Sequence, residues 1–96
     1  MHSTNIKEVL KPFFTRLGID PIDFAFNEAT NEFVSKNSFS DKDDSPEAYY
    51  IVVKLENDIG TVNIGISDGL GFDITETLGE IKLEEDGNFR FKKITF

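Results

Sequence analysis

Residues 5–18 read Asn5-Ile6-Lys7-Glu8-Val9-Leu10-Lys11-Pro12-Phe13-Phe14-Thr15-Arg16-Leu17-Gly18. Ile6, Val9, Leu10, Phe13, Phe14 and Leu17 fall at i, i+3, i+4, i+7, i+8 and i+11, the spacing that gathers side chains on one stripe of an α-helix. A helix is therefore predicted over 5–17. Asn5 with Glu8 three residues on, or Ser3 or Thr4 a little earlier, provides the cap at its start, and Gly18 followed by Ile19 reads as a left-handed C-terminal cap. Pro12 removes the amide that would bond the Glu8 carbonyl and crowds that carbonyl, which predicts a kink, or a helix that begins near Lys11.

A stripe of this kind needs an apolar surface to cover, and the rest of the chain reads as strands. After Asp20-Pro21, Ile22, Phe24 and Phe26 alternate with Asp23, Ala25 and Asn27, the period of a half-buried strand. Residues 27–31 read as a turn into a short strand at 32–35. The stretch 48–56 is rich in β-branched and aromatic residues. Asn57-Asp58-Ile59-Gly60 supplies turn chemistry before 61–67, where Val62, Ile64 and Ile66 alternate with Thr61, Asn63 and Gly65, as in a hairpin. Asp68-Gly69 opens a further turn, 70–77 carries the weakest strand pattern, and 80–84 joins 89–96 across Glu85-Asp86-Gly87-Asn88. The expected fold is α+β, with one N-terminal helix packed on an antiparallel meander of four to six strands. Nothing repeats at a fixed period.

Ninety-six residues with 39% apolar content and ten phenylalanines suit one domain, spanning 1–96, with one core. A chain this short buries only about 60 to 65% of its unfolded surface, which points to shallow surfaces rather than a deep catalytic pocket. Residues 35–47 place one apolar side chain, Phe39, among charged and turn-forming ones and read as a mobile polar loop. There is no cysteine, so disulfides, thiolate nucleophiles and cysteine-ligated metals are excluded. The N-terminus lacks the basic region and apolar run of a secretory signal, and no stretch reaches the length of a membrane span; the cytoplasm is the expected compartment.

Net charge is −8, unevenly placed. Residues 1–40 carry five acids against four bases, residues 41–88 thirteen against three, and residues 89–96 three bases alone. Such a field repels nucleic acid and anionic membranes and attracts basic proteins.

Catalytic and metal chemistry find little support. The single histidine, His2, lies beside the terminus, so a serine or threonine nucleophile lacks its usual base. A pair of carboxylates would need a substrate-sized cleft with one pKa raised. Asp41, Asp43, Asp44 and Glu47 invite a calcium reading, but an EF-hand loop begun at Asp41 would have Pro46 at its sixth position, where glycine is required, and Val52 at its twelfth, where glutamate is. A solvated acidic loop is the simpler account. Gly60, Gly65, Gly69 and Gly71 lack the Gly-Lys-Ser/Thr of a phosphate loop, and hairpin turns with a bulge explain them. In the basic tail, alternation places Phe89 and Phe91 in the core and Arg90, Lys92 and Lys93 outside, shielding an edge strand. The phase break between Lys92 and Ile94 predicts a bulge.

No enzyme, cofactor or metal is therefore expected. The expectation is a protein-binding domain, in the manner of an immunity protein, antitoxin or inhibitor, docking on a basic toxin, nuclease or nucleic-acid enzyme. Asp41, Asp43, Asp44, Glu47, Tyr50, Asp68, Asp73 and Glu76 are its candidate contacts. Tyr50 and Val52 point away from Tyr49, Ile51, Val53 and Leu55 on their strand and need a cover, either Phe39 from the 35–47 loop or a partner. The alternatives are a structural module forming a homodimer and, less favoured, a mimic of the nucleic-acid backbone, weakened because the acids cluster in turns.

Overall fold

The computed structural model describes residues 5–39, 48–67, 69 and 71–95. Two short helices, α1 (Ile6–Val9) and α2 (Lys11–Leu17), precede six strands: β1 (Phe24–Asn27), β2 (Glu32–Ser35), β3 (Tyr49–Glu56), β4 (Ile59–Ser67), β5 (Phe72–Leu83) and β6 (Phe89–Ile94). The strands form one antiparallel sheet in sequence order, a six-stranded meander.

The single helix expected over 5–17 is corrected to two. The chain breaks at Leu10, whose N–H donates to the Ile6 carbonyl at 3.2 Å while its own carbonyl receives Phe13 N–H at 2.9 Å and Phe14 N–H at 3.1 Å. Pro12, with no N–H to donate to Glu8, sits in the first turn of α2, where that loss costs nothing. The stripe survives the break, and Ile6, Leu10, Phe13 and Phe14 are all buried. Gly18 ends α2 at φ 71°, with Gly18 N–H on the Thr15 carbonyl and Ile19 N–H on the Phe14 carbonyl at 3.1 Å, the bonding of a Schellman cap. The expected Asn5 side-chain cap is absent; its carboxamide bonds β6 instead. Ser3 and Thr4 lie outside the described residues.

The helices cover one face of the sheet, where Phe33, Ile51, Val53, Val62, Ile64, Leu78, Ile81 and Phe89 complete the core. The sheet curls far enough for Phe33 of β2 to meet Phe89 of β6 edge to face, ring centroids 5.7 Å apart. The strand expected at 80–84 and the weak pattern at 70–77 are one twelve-residue strand, β5. Its alternation is disguised by two bulges. Val62 pairs with Gly79 and Asn63 with Thr77, leaving Leu78 extra; Ile64 pairs with Glu76 and Gly65 with Ile74, leaving Thr75 extra. Gly60, expected in the turn before this strand, lies inside β4, as does Gly65 within the strand expected over 61–67. A Cβ on Gly60 would crowd the side chains of Ile81, Val53 and Leu55. The predicted bulge in β6 is present: Glu80 pairs with Lys93 and Ile81 with Phe91, so Lys92 is the extra residue.

Candidate functional site

β2 parts from β3 after Val34 pairs with Val52. The next step of the ladder is replaced by a side chain, the buried Ser35 hydroxyl accepting Ile51 N–H at 3.0 Å. Pairing resumes only at Phe39, which exchanges two backbone bonds with Tyr49, at 2.9 and 2.8 Å. The Phe39 ring lies on Tyr49, centroids 6.0 Å apart. This gap in the sheet margin lies on the helix face. There Leu17 at the end of α2, Phe39, Tyr49, Ile64, Ile66, Thr75 and Glu76 line a cleft of about 310 Å³, at the small end of the range of ligand pockets.

The cleft owes its acidic wall to the bulge at Thr75. Strict alternation would send Thr75 and Glu76 to opposite faces; with one residue extra, both line the cleft. The Thr75 hydroxyl donates to the Ile64 carbonyl at 3.3 Å. Asp73, exposed, pairs with Ile66, itself a lining residue, and so shares that face. Neither Asp73 nor Glu76 makes an ion pair with a described residue. Further along β5 the pattern differs: Glu80 bonds Lys92 at 2.9 Å, and Glu84 beyond the strand bonds Arg90 at 2.8 Å. The Lys92 ammonium holds the Glu80 carboxyl below its usual range.

Of the eight candidate residues, Glu76 lines this cleft and Asp73 lies on the same face of the sheet. Tyr50 does not, being on the reverse face, where its ring meets Phe72 edge to face at 5.4 Å. The expectation that Phe39 covers Tyr50 is corrected: Phe39 packs on the helix face, and the cover comes from β5. Gly65, opposite Tyr50, leaves the space, since a Cβ there would lie 3.1 Å from Phe72 Cβ and 3.4 Å from Ile74 Cδ1. Asp41, Asp43, Asp44, Glu47 and Asp68 lie outside the described residues. Sequence reasoning missed Leu17, Ile66 and Thr75 as site residues. The first two read as ordinary core positions, and only the register of β4 on β5 reveals the third.

A larger polar hollow of about 460 Å³ lies by the β5–β6 turn, lined by Asp58, Lys82, Leu83, Glu84, Glu85, Asp86 and Arg90. Its acids are interleaved with two bases, and it has none of the cleft's aromatic floor. Among the described residues no three His, Cys, Asp or Glu side chains gather as a metal-binding group, and no helix is long and apolar enough to cross a membrane. Set against known family models, curated proteins and solved structures, the chain matches none.

Proposed function

We propose that this chain is a non-catalytic binding domain that docks on a basic protein and neutralises or inhibits it, as an immunity protein, antitoxin or inhibitor acts on a toxin, nuclease or nucleic-acid enzyme. The observation that carries the reading is the pair Asp73 and Glu76, two carboxylates without counter-ions among the described residues, on one face with an apolar floor. The excess of acids over residues 41–88 draws a basic partner in and repels nucleic acid. On contact, a cation meets the carboxylates while its aliphatic stem displaces water from Leu17, Tyr49 and Ile66. Inhibition follows from coverage, because the basic surface held by this domain is the one with which such a partner would grip phosphate. Mimicry of a nucleic-acid backbone fits less well, since the bulge at Thr75 breaks the even spacing of strand side chains between Asp73 and Glu76.

Affinity capture from native lysate, at low salt and at 0.5 M salt, tests the reading. A basic protein retained stoichiometrically at low salt and weakened at high salt supports it. Reversing charge at Asp73 and Glu76 should slow association several-fold at low salt with thermal stability nearly unchanged. A second reading, self-assembly through the reverse face, is favoured by one observation: Ile74 is 48% exposed beside Phe72 and Tyr50. Self-association in light scattering that is insensitive to salt would select it over charge-steered docking.

A further inference from the structure

The cleft between the end of α2 and the β4–β5 ladder is apolar over most of its wall. Leu17, Ile64 and Ile66 supply the aliphatic part, and Phe39 and Tyr49 the aromatic part, their ring planes 37° apart. Its polar part comes from two successive residues, Thr75 and Glu76, which line the cleft together because the bulge cancels the alternation of the strand. Both offer acceptors side by side. A carboxylate only accepts hydrogen bonds, and the Thr75 hydroxyl directs its one proton to the Ile64 carbonyl at 3.3 Å, which leaves it an acceptor toward the cleft. Among the described lining residues the Tyr49 phenol is the one other hydrogen-bonding side chain. A head group that suits such a wall is cationic, rich in donors and flat enough to lie on the aromatic rings. A guanidinium has these properties: five N–H donors in a fixed planar fork, affinity for aromatic faces, and weaker hydration than an ammonium. At about 310 Å³ the cleft has room for one side chain rather than for a folded segment. The larger hollow at the β5–β6 turn is richer in acids, but its lining already includes Lys82 and Arg90 and has no aromatic ring.

We propose that this cleft is a socket for a single arginine side chain of the basic partner. The guanidinium lies against Tyr49 and Phe39 and donates to Glu76 and Thr75, while its methylenes cover Leu17 and Ile66. Lysine is the poorer occupant, because its ammonium is a compact, strongly hydrated point charge that cannot stack on the rings and serve two neighbouring acceptors in one plane. The inference rests on the docking reading and names the anchor by which the partner is held.

The test titrates the full chain, labelled with 15N and at its methyl groups with 13C, with N-acetyl-arginine methylamide. The comparisons are the lysine compound and the citrulline compound, a neutral analogue of nearly the same shape. Expected are chemical-shift changes at the methyl groups of Leu17, Ile64, Ile66 and Thr75 and at the Glu76 amide. Binding should be about fivefold weaker for lysine and about tenfold weaker for citrulline. Glu76→Gln should lose about tenfold in affinity for the arginine compound and Thr75→Val a few-fold, with melting temperatures confirming that both variants fold. Lysine binding as tightly as arginine, citrulline binding as tightly as arginine, or shifts confined to Asp58 and residues 84–86 overturns the proposal. If a basic protein is captured from lysate but the arginine compound leaves the cleft unshifted, the socket falls and docking stands elsewhere. If the arginine compound binds the cleft as expected but no basic protein is captured, the socket stands and the docking reading falls.

Discussion

Asn5 precedes α1, but its carboxamide turns to β6, where Nδ2 donates to the Phe89 carbonyl and Oδ1 accepts Phe89 N–H, both at 2.8 Å. One side chain thus stands in for a neighbouring strand at the margin of the sheet and fixes α1 against it. Asn5→Ala leaves both Phe89 backbone groups without this partner in a half-buried place and should cost about 2 kcal/mol in urea unfolding. Gly79 is demanded by space rather than by conformation. A Cβ there would run into the Lys93 carbonyl oxygen and stand 2.7 Å from the Phe13 ring. Because backbone on the facing strand cannot swing aside as a side chain does, Gly79→Ala should destabilise by about 3 kcal/mol. Gly60→Ala, which meets only side chains, should cost less in the same assay.

At the scale of elements, β6 is held to β5 by its ladder and by two exposed ion pairs, Lys92 with Glu80 and Arg90 with Glu84. The Glu80 carboxyl titrates below its ordinary value of 4.5, chiefly through the hydrogen bond from Lys92. A group depressed in the folded state contributes stability above its unfolded pKa, and that contribution fades as pH falls through the folded value. The melting temperature of the parent should therefore drop more between pH 5 and pH 3 than that of Glu80→Gln, measured side by side. The bulge at Lys92 was legible because two lysines in succession break the alternation set by Phe89 and Phe91. Even so, Phe91 is 42% exposed, held against the protein by the Phe13 ring at 5.8 Å rather than sunk in the core. The bulges in β5 were not legible. Leu78-Gly79 and Thr75-Glu76 break phase among small and polar residues that give no apolar rhythm to be broken.

Over the whole molecule, eight more acids than bases act on a core built around a single curled sheet. Their mutual repulsion opposes the compact state at low ionic strength. Raising sodium chloride from 10 mM to 0.5 M should lift the melting temperature by roughly 3 °C, the equivalent of about 0.5 kcal/mol in a domain of this size. A fall would mean that ion pairs such as Lys7 with Asp23, at 3.0 Å, outweigh the general repulsion. The same screening should weaken a basic partner, so salt is expected to move stability and docking in opposite directions.

What the sequence determined by itself was local: the helical stripe Ile6, Leu10, Phe13, Phe14, the break imposed by Pro12, the left-handed stop at Gly18, and the inward set Ile51, Val53, Val62 and Ile64. Each follows from the period of one element and the stereochemistry of one residue, and neither needs a distant partner to be read. Tertiary structure alone decided that Phe39 packs on Tyr49 rather than over Tyr50, and that Thr75 and Glu76 share a face. Those outcomes depend on the register between strands and on how far each neighbour runs, which backbone pairing across the sheet fixes and the pattern within a single strand does not.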